Sequence, residues 1–265
     1  MMPGRKAIFL DIDGTLSYNG APPCEEDVAA LRQARAAGNA VLINTGRALG
    51  FLPESLRGAD YLDGYLCGCG SQLVLHGETI FTHEVPRPIL RAAAAFYLAR
   101  PGRRCLFEGE DSLYVVNGEY KGALWPQVTR EDDFETVYAD KKITKLTILG
   151  GVTEEERALY RGRLELVLQS SGRWYEAILP GCGKGRGMDR VCEVLGIARA
   201  DTIAIGDSEN DLEMFAHAGD AVAMTNATDQ AMRACAWRTA ACGEGGVARA
   251  VRALALGQGE LERIR

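Results

Sequence analysis

No run of apolar residues in this chain approaches the ~20 needed to cross a bilayer as a helix, which argues against a membrane-spanning protein. The N-terminal stretch passes from Arg5-Lys6 through four apolar residues straight into Asp11, too short an apolar region for a secretory signal. Basic charge is also short: 30 Lys and Arg stand against 36 Asp and Glu, a formal net charge of −6. No overall positive field invites nucleic acid or anionic lipid, so the expected setting is cytoplasmic, with neither as a partner. The 8 cysteines are scattered, and the one close pair, Cys67-Gly68-Cys69, is a C-x-C without a histidine-rich segment nearby. That spacing does not match a zinc knuckle, and a disulfide framework does not suit a chain of this length without a signal. Repeats and low-complexity stretches are missing too. What remains is an ordinary globular composition, 47% hydrophobic and 25% charged over 265 residues, enough for one large α/β domain or two smaller ones.

The first third alternates as a parallel α/β protein should. Ala7-Ile8-Phe9-Leu10 reads as a buried strand, Glu25 to Ala37 as a helix stopped by Gly38, and Ala40-Val41-Leu42-Ile43 as a second strand. A short helix is expected over Ala48 to Leu56. Tyr65-Leu66-Cys67 reads as a third strand, and Gln72 to Leu75, His76-Gly77 and Thr79 to Phe81 as a hairpin. From about His83 strands and helices mix less regularly. A helix is expected over Ile89 to Ala99, strands at Cys105 to Glu108, Leu113 to Val116 and Ile143 to Leu149, then a long helix from Thr153 to Gln169 with a Thr153/Glu156 capping box. Trp174 to Leu179 closes this region as a strand. Regular alternation resumes with a helix from Met188 to Leu195, a strand Thr202 to Ile205, a helix Asp211 to Ala218, a strand Ala221 to Met224 and a last helix Val247 to Leu256. The expected organisation is a core formed by residues 1–82 and 182–265, split by an inserted α+β domain over 83–181.

Chemistry gathers where the apolar strands end. Leu10 leads into Asp11-Ile12-Asp13-Gly14-Thr15, Ile43 into Asn44-Thr45-Gly46-Arg47, and Ile205 into Gly206-Asp207-Ser208-Glu209-Asn210-Asp211. In open parallel sheets ligands bind beyond the carboxyl ends of the strands, so these groups converge if the strands are parallel. Asp11 and Asp13, two apart, point to one small volume where two carboxylates call for a cation, or else open a solvated turn with Gly14. Asp207 and Asp211 are the candidates to share metal work with Asp11; Glu209 reads as a solvated acid, and Asn210 as a residue that orients Asp207 or donates to substrate. Thr45 and Gly46 suit an anion at a helix start, or Thr45 simply caps the helix. Arg47 can reach a phosphate or substrate carboxylate, or form a surface ion pair. Lys184, in the glycine-rich run 181–187, can neutralise both Asp11 and an incoming phosphate, or sit solvated at a hinge; that run fits neither a P-loop nor a dinucleotide fingerprint.

Taken in order, Asp11-Ile-Asp-Gly-Thr, Thr45-Gly-Arg, Lys184 and Gly206-Asp-Ser-Glu-Asn-Asp resemble the four motifs of the haloacid dehalogenase superfamily of aspartate-dependent phosphohydrolases, in its Cof-type branch. The likeness extends through Ala218-Gly219, Ala221-Val-Ala-Met224, Asn226-Ala227 and Glu244-Gly-Gly-Val247, and more loosely to Ile143-Thr-Lys-Leu146 and Tyr175 to Pro180 in the insertion. Two departures stand out: Cys67-Gly-Cys-Gly-Ser71 where the family often has Asn-Gly-Ala, and Thr225 where it has Gly. The resemblance implies a Rossmann-like parallel-sheet core with an inserted α+β cap. It implies Asp11 as the nucleophile that becomes an aspartyl phosphate and Asp13 as acid and base. Mg²⁺ would be held by Asp11, Asp207 and the Asp13 backbone carbonyl with Asp211 in support, and phosphate by Thr45, Gly46, Arg47, Lys184 and Asn210. The implied substrate is a small phosphorylated metabolite, sugar phosphates first, for a monomer or weak homo-oligomer. Two other readings stay open: a phosphomutase on the same scaffold, which would need slow hydrolysis of the aspartyl phosphate, and a non-catalytic phosphate-ligand sensor, for which Asp13 would have no use. Arg103, Arg104 and Lys121 are candidates to meet an anionic group on a substrate, or are solvated surface.

Overall fold

The computed structural model describes residues 4–18, 20–122, 124–169 and 172–264. The chain forms two compact units: Met1–Gly46, Pro53–Ile80 and Gly183–Arg265 make up one, Arg47–Leu52 and Phe81–Cys182 the other. The first unit is built on a mixed sheet whose order begins with strands 262–263, 237–238, 220–223 and 202–206. It continues through Ala7–Leu10 at the middle to 40–44, 64–67, 72–75 and 78–82. The six strands from 237–238 to 64–67 run parallel. Apolar four- and five-residue runs buried on both faces suit this, because helical crossovers cover both sides of a parallel sheet.

Register does the positioning. Leu10 lies opposite both Ile43 and Ile205, so the residues that follow these three leave the sheet side by side. From Ala7–Leu10 the chain builds outward on one side with 40–44 and 64–67, and later on the other with 202–206 and 220–223. The order of strands thus reverses at the carboxyl end of Ala7–Leu10, a topological switch point where ligands bind. Helix Glu25–Ala36 packs along Gly246–Ala255, and Lys184–Leu195 along Leu212–His217.

The second unit has a six-stranded sheet in the order 165–168, 174–178, 143–149, 104–109, 113–116, 127–128, antiparallel except for the last pair. One core gathers Leu90 and Tyr97 from helix Arg87–Leu98, Tyr160 from helix Glu154–Tyr160, and Phe107, Tyr114 and Ile148 from the sheet. Glu108, Lys145, Thr147, Gln169 and Glu176 make a separate buried network. Lys145 pairs with both Glu176 and Glu108, Thr147 donates to Glu108 at 2.5 Å, and Gln169 to Glu176 at 2.7 Å. Each buried charge is thereby matched or hydrogen-bonded, which its removal from water demands.

Several expectations change. Residues 48–56 form two single 3₁₀ turns, Leu49–Phe51 and Glu54–Leu56, because Pro53 lacks the N–H an α-helix needs there. The helix expected over Thr153 to Gln169 ends at Tyr160; Gly162 turns at φ +70° and Glu165–Leu168 is a strand. The Thr153/Glu156 capping box is present. Helix Lys184–Leu195 starts four residues before the expected Met188, and Met224 follows rather than belongs to its strand. The hairpin at His76-Gly77 has both residues at positive φ, 50° and 84°, as a tight two-residue turn requires.

Candidate active site

Asp11 continues the sheet by one bond, its N–H donating to the Ile205 carbonyl at 3.0 Å, and its side chain is buried. The chain then folds on itself: Leu16 and Ser17 N–H both donate to the Ile12 carbonyl, at 3.1 and 2.9 Å, and Gly14 N–H to Ser17 at 2.9 Å. Gly14 has φ +91°, and a Cβ there would overlap the Asp207 carboxylate. Only glycine allows this turn and this approach together. Thr15 Oγ1 donates to Asp207 Oδ1 at 3.3 Å. Asp13, two residues from buried Asp11, is exposed.

Lys184, the first residue of its helix, is as buried as Asp11 and joins two acids. Its Nζ donates to Asp11 Oδ1 at 2.6 Å and to Asp211 Oδ1 at 2.7 Å. Asp211 Oδ2 accepts the N–H groups of Asp207 and Ser208, at 3.0 and 3.2 Å, so both of its oxygens are committed. Burial works against the Lys184 charge, but the two carboxylates outweigh it and hold the ammonium above its ordinary value. One ammonium does not balance three acids. Burial first, then the neighbouring Asp211 charge, push Asp11 up to about 7 despite Lys184. Burial and the charges of Asp11 and Asp211 push Asp207 up to about 8.

That shortage of positive charge is the test of fit for a metal. Carboxylate oxygens of Asp11, Asp207 and Asp211 lie within 4.8 Å of one another. An all-oxygen donor set suits a hard divalent ion such as Mg²⁺ rather than a soft one. Asp11 and Asp207 are the residues that could hold such an ion directly. Asp211, already engaged by Lys184 and two backbone groups, braces them.

A model of the haloacid dehalogenase-like hydrolases matches residues 8–251. The chain belongs to that family. Among relatives, 5-amino-6-(5-phospho-D-ribitylamino)uracil phosphatase YwtE of Bacillus subtilis is 29% identical, over 96% of this chain and 99% of its own. The phosphoglycolate phosphatase of Metallosphaera sedula is 28% identical, over 86% and 89%. The structure of the HAD subclass IIB sugar phosphatase BT4131 superposes with a TM-score of 0.77 at 26% identity, covering 94% of this chain and 98% of that one. This chain is likewise an enzyme, a phosphoric monoester hydrolase of the haloacid dehalogenase-like family with a Rossmann-like core.

Of the residues singled out in the sequence, the structure gathers Asp11, Lys184, Asp207 and Asp211 into one set of contacts. Thr45 is buried beyond Ile43; its N–H donates to Leu66 at 2.9 Å and its carbonyl accepts Cys69 N–H at 3.1 Å. Gly46 ends that segment of the first unit. Arg47 belongs to the second unit, with its guanidinium 4.9 Å from the Phe51 ring centre. Asn210 accepts from Ser208 Oγ at 2.8 Å within its own turn. Glu209, expected to be solvated, is half-buried, with Oε2 lacking a hydrogen-bond partner among the described residues. Arg103 pairs with buried Glu156 at 2.6 Å. Arg104 reaches the Glu119 carbonyl at 3.3 Å, and Lys121 lies over the Phe51 and Tyr120 rings.

Sequence reasoning missed two supports. Asn44, fully buried, donates from Nδ2 to the Lys184 carbonyl at 3.1 Å and so ties the second strand to the lysine helix. The Cys67-to-Ser71 turn does the same by contact: Gly70 has φ +77°, and a Cβ there would collide with the Gly183 carbonyl. The glycine at this turn thus lets the backbone ahead of Lys184 come close. Both supports act between residues far apart in the chain, and only the glycine spacing hinted at the second. Among the described residues no cysteine is in a disulfide; buried Cys67 has its thiol pushed up to about 12 by desolvation.

Proposed function

We propose that this hydrolase is an Mg²⁺-dependent phosphatase that cleaves small phosphate monoesters through an aspartyl-phosphate intermediate on Asp11. The observation that carries the reading is the Asp11–Lys184–Asp211 array. It fixes one oxygen of a buried carboxylate at 2.6 Å on an ammonium and leaves the other to be presented to phosphorus. In the first step an Asp11 oxygen bonds to phosphorus as the ester P–O bond breaks, and Asp13 gives its proton to the departing oxygen. In the second, water attacks the phosphoryl group, its proton passes to Asp13, and phosphate leaves with Asp11 restored. Lys184 and Thr45 hold the equatorial oxygens, where charge spreads in the transition state. When bound by Asp11, Asp207 and the Asp13 carbonyl, Mg²⁺ supplies neutralisation of that charge.

Residues 1–82 and 182–265 would then carry the chemistry and the insertion 83–181 the choice of leaving group. Sugar phosphates and related phosphometabolites are the proposed substrates, since relatives bear sugar-phosphatase and ribityl-phosphatase names. The working form is a monomer or weak homo-oligomer in the cytoplasm. Hydrolysis of p-nitrophenyl phosphate tests the reading. Phosphate release should require Mg²⁺, stop on chelation, and vanish in Asp11→Asn, an isosteric change that removes the nucleophile. Undiminished turnover in that variant would rule out the covalent scheme. A panel of phosphorylated metabolites would then rank substrates.

A further inference from the structure

The loop after strand Asp220–Ala223 is sewn to the acid-bearing turn beside it. Met224 N–H donates to the Gly206 carbonyl at 3.1 Å, Thr228 N–H to the Asp207 carbonyl at 2.8 Å, and Ala227 N–H closes the loop onto Met224 at 2.9 Å. From this platform Asn226 reaches the other turn. Its Nδ2 donates to the Gly14 carbonyl at 2.8 Å, and its Oδ1 accepts the Cys242 N–H at 2.8 Å. The second bond settles which way the amide faces: a backbone N–H can only donate, so Oδ1 must face Cys242 and the NH₂ must face Gly14.

We propose that Asn226 is a positioning residue: by holding the Gly14–Thr15 peptide to the loop that also holds Asp207, it keeps the Asp11 turn and the Asp207 turn at the spacing a shared cation needs. The proposal rests on the phosphatase reading above and adds a residue to it. The peptide it holds is a sensitive one. Gly14 lies directly against the Asp207 carboxylate, and Thr15 on the other side of that peptide donates to Asp207 Oδ1. Two carboxylates short of positive charge tend to move apart, and among the described residues the ladder joining their two strands ends at the Asp11 N–H on the Ile205 carbonyl. Thr225, the residue standing in for the family's glycine, spends its hydroxyl on the Thr239 carbonyl and makes no bond to either acid turn. It supplies a neighbouring control.

Asn226→Asp is the decisive variant. It keeps the shape and the Cys242 bond but sets an oxygen against the Gly14 carbonyl, so the clamp opens. Asn226→Ser also cannot span to Gly14, and it adds no charge. Mg²⁺ binding is read without turnover, from the Mg²⁺ dependence of the melting temperature and by calorimetry, alongside p-nitrophenyl phosphate kinetics. For both variants the Mg²⁺ midpoint should rise about 10- to 100-fold, the usual effect of removing a partner that orients metal ligands. Metal-saturated kcat should fall by about the same factor, with KM within about threefold, because the defect lies in placing the ligands rather than in binding the ester. Thr225→Val should keep the wild-type midpoint. If both Asn226 variants bind Mg²⁺ as wild type does, or lose binding only in proportion to lost folded protein, the positioning role is overturned. A wild-type enzyme that neither binds Mg²⁺ nor releases phosphate would instead sink the phosphatase reading, so the two failures are distinguishable.

Discussion

A single lysine joins two of the carboxylates gathered at the strand ends. Lys184 is in contact with Asp11 and Asp211 at 2.6 and 2.7 Å, all three side chains buried, and no other cation is bonded to those acids among the described residues. Replacing it by methionine keeps the volume and removes the charge. Breaking a buried pair from one side typically costs about 3–5 kcal/mol, because the remaining charge has lost both water and partner. Lys184→Met should therefore lower the urea midpoint and, on the proposed mechanism, cut kcat by about 10²- to 10³-fold through loss of a charge that would face the phosphoryl group. Wild-type kcat in a folded Lys184→Met protein would contradict this. Its role was only half legible in the sequence. A glycine-flanked lysine is equally a hinge residue, and the distance to Asp11, 173 positions away, is a tertiary fact.

Among the elements, the seam between helices Glu25–Ala36 and Gly246–Ala255 has a feature of its own. Asp27, fully buried, accepts Ala248 N–H at 2.7 Å through Oδ1 and Cys24 Sγ–H at 3.0 Å through Oδ2. A carboxylate from one helix thus caps the start of another. Burial raises its pKa, only partly countered by these two hydrogen bonds. A folded-state pKa above the unfolded one means the group's contribution is fully present below about pH 4 and is lost as pH rises through the folded value. Asp27→Asn retains an acceptor for Ala248 and removes the titration. The difference in unfolding free energy between variant and wild type should therefore move in the variant's favour as pH rises from about 4 toward neutrality. Parallel pH curves would refute this. Helix ends such as these were visible beforehand only where a local motif marks them, as at Thr153 and Glu156. Asp27 caps a helix 221 positions later, and no spacing rule reveals that.

For the molecule as a whole, two units with separate cores predict separable losses of stability. Lys145 is the natural probe, since it is buried in the second unit between Glu108 and Glu176. Lys145→Met strands two buried acids at a cost of about 3–5 kcal/mol. Hydrogen exchange should then speed up in strands 143–149 and 174–178 and leave 7–10 and 202–206 protected. Uniform deprotection across both units would show that they unfold as one. What could be read from the chain is that regular alternation breaks near His83 and returns after Gly181. The allotment of Arg47–Leu52 to the second unit could not, since those six residues sit in the middle of a core segment and contain nothing that breaks its pattern.

Apolar runs ending in Asp11, Asn44 and Gly206-Asp207 were enough, by themselves, to mark buried strands with polar groups at their carboxyl ends. Burial pattern and strand-end chemistry are local properties that each segment carries alone. The tertiary structure decided which of those groups touch: that Lys184 takes Asp11 and Asp211, and that Asn44 and Asn226 serve as ties. Contacts of that kind depend on register and on the close approach allowed at Gly14 and Gly70. These are set by packing between segments well over a hundred residues apart, and no single stretch of sequence contains them.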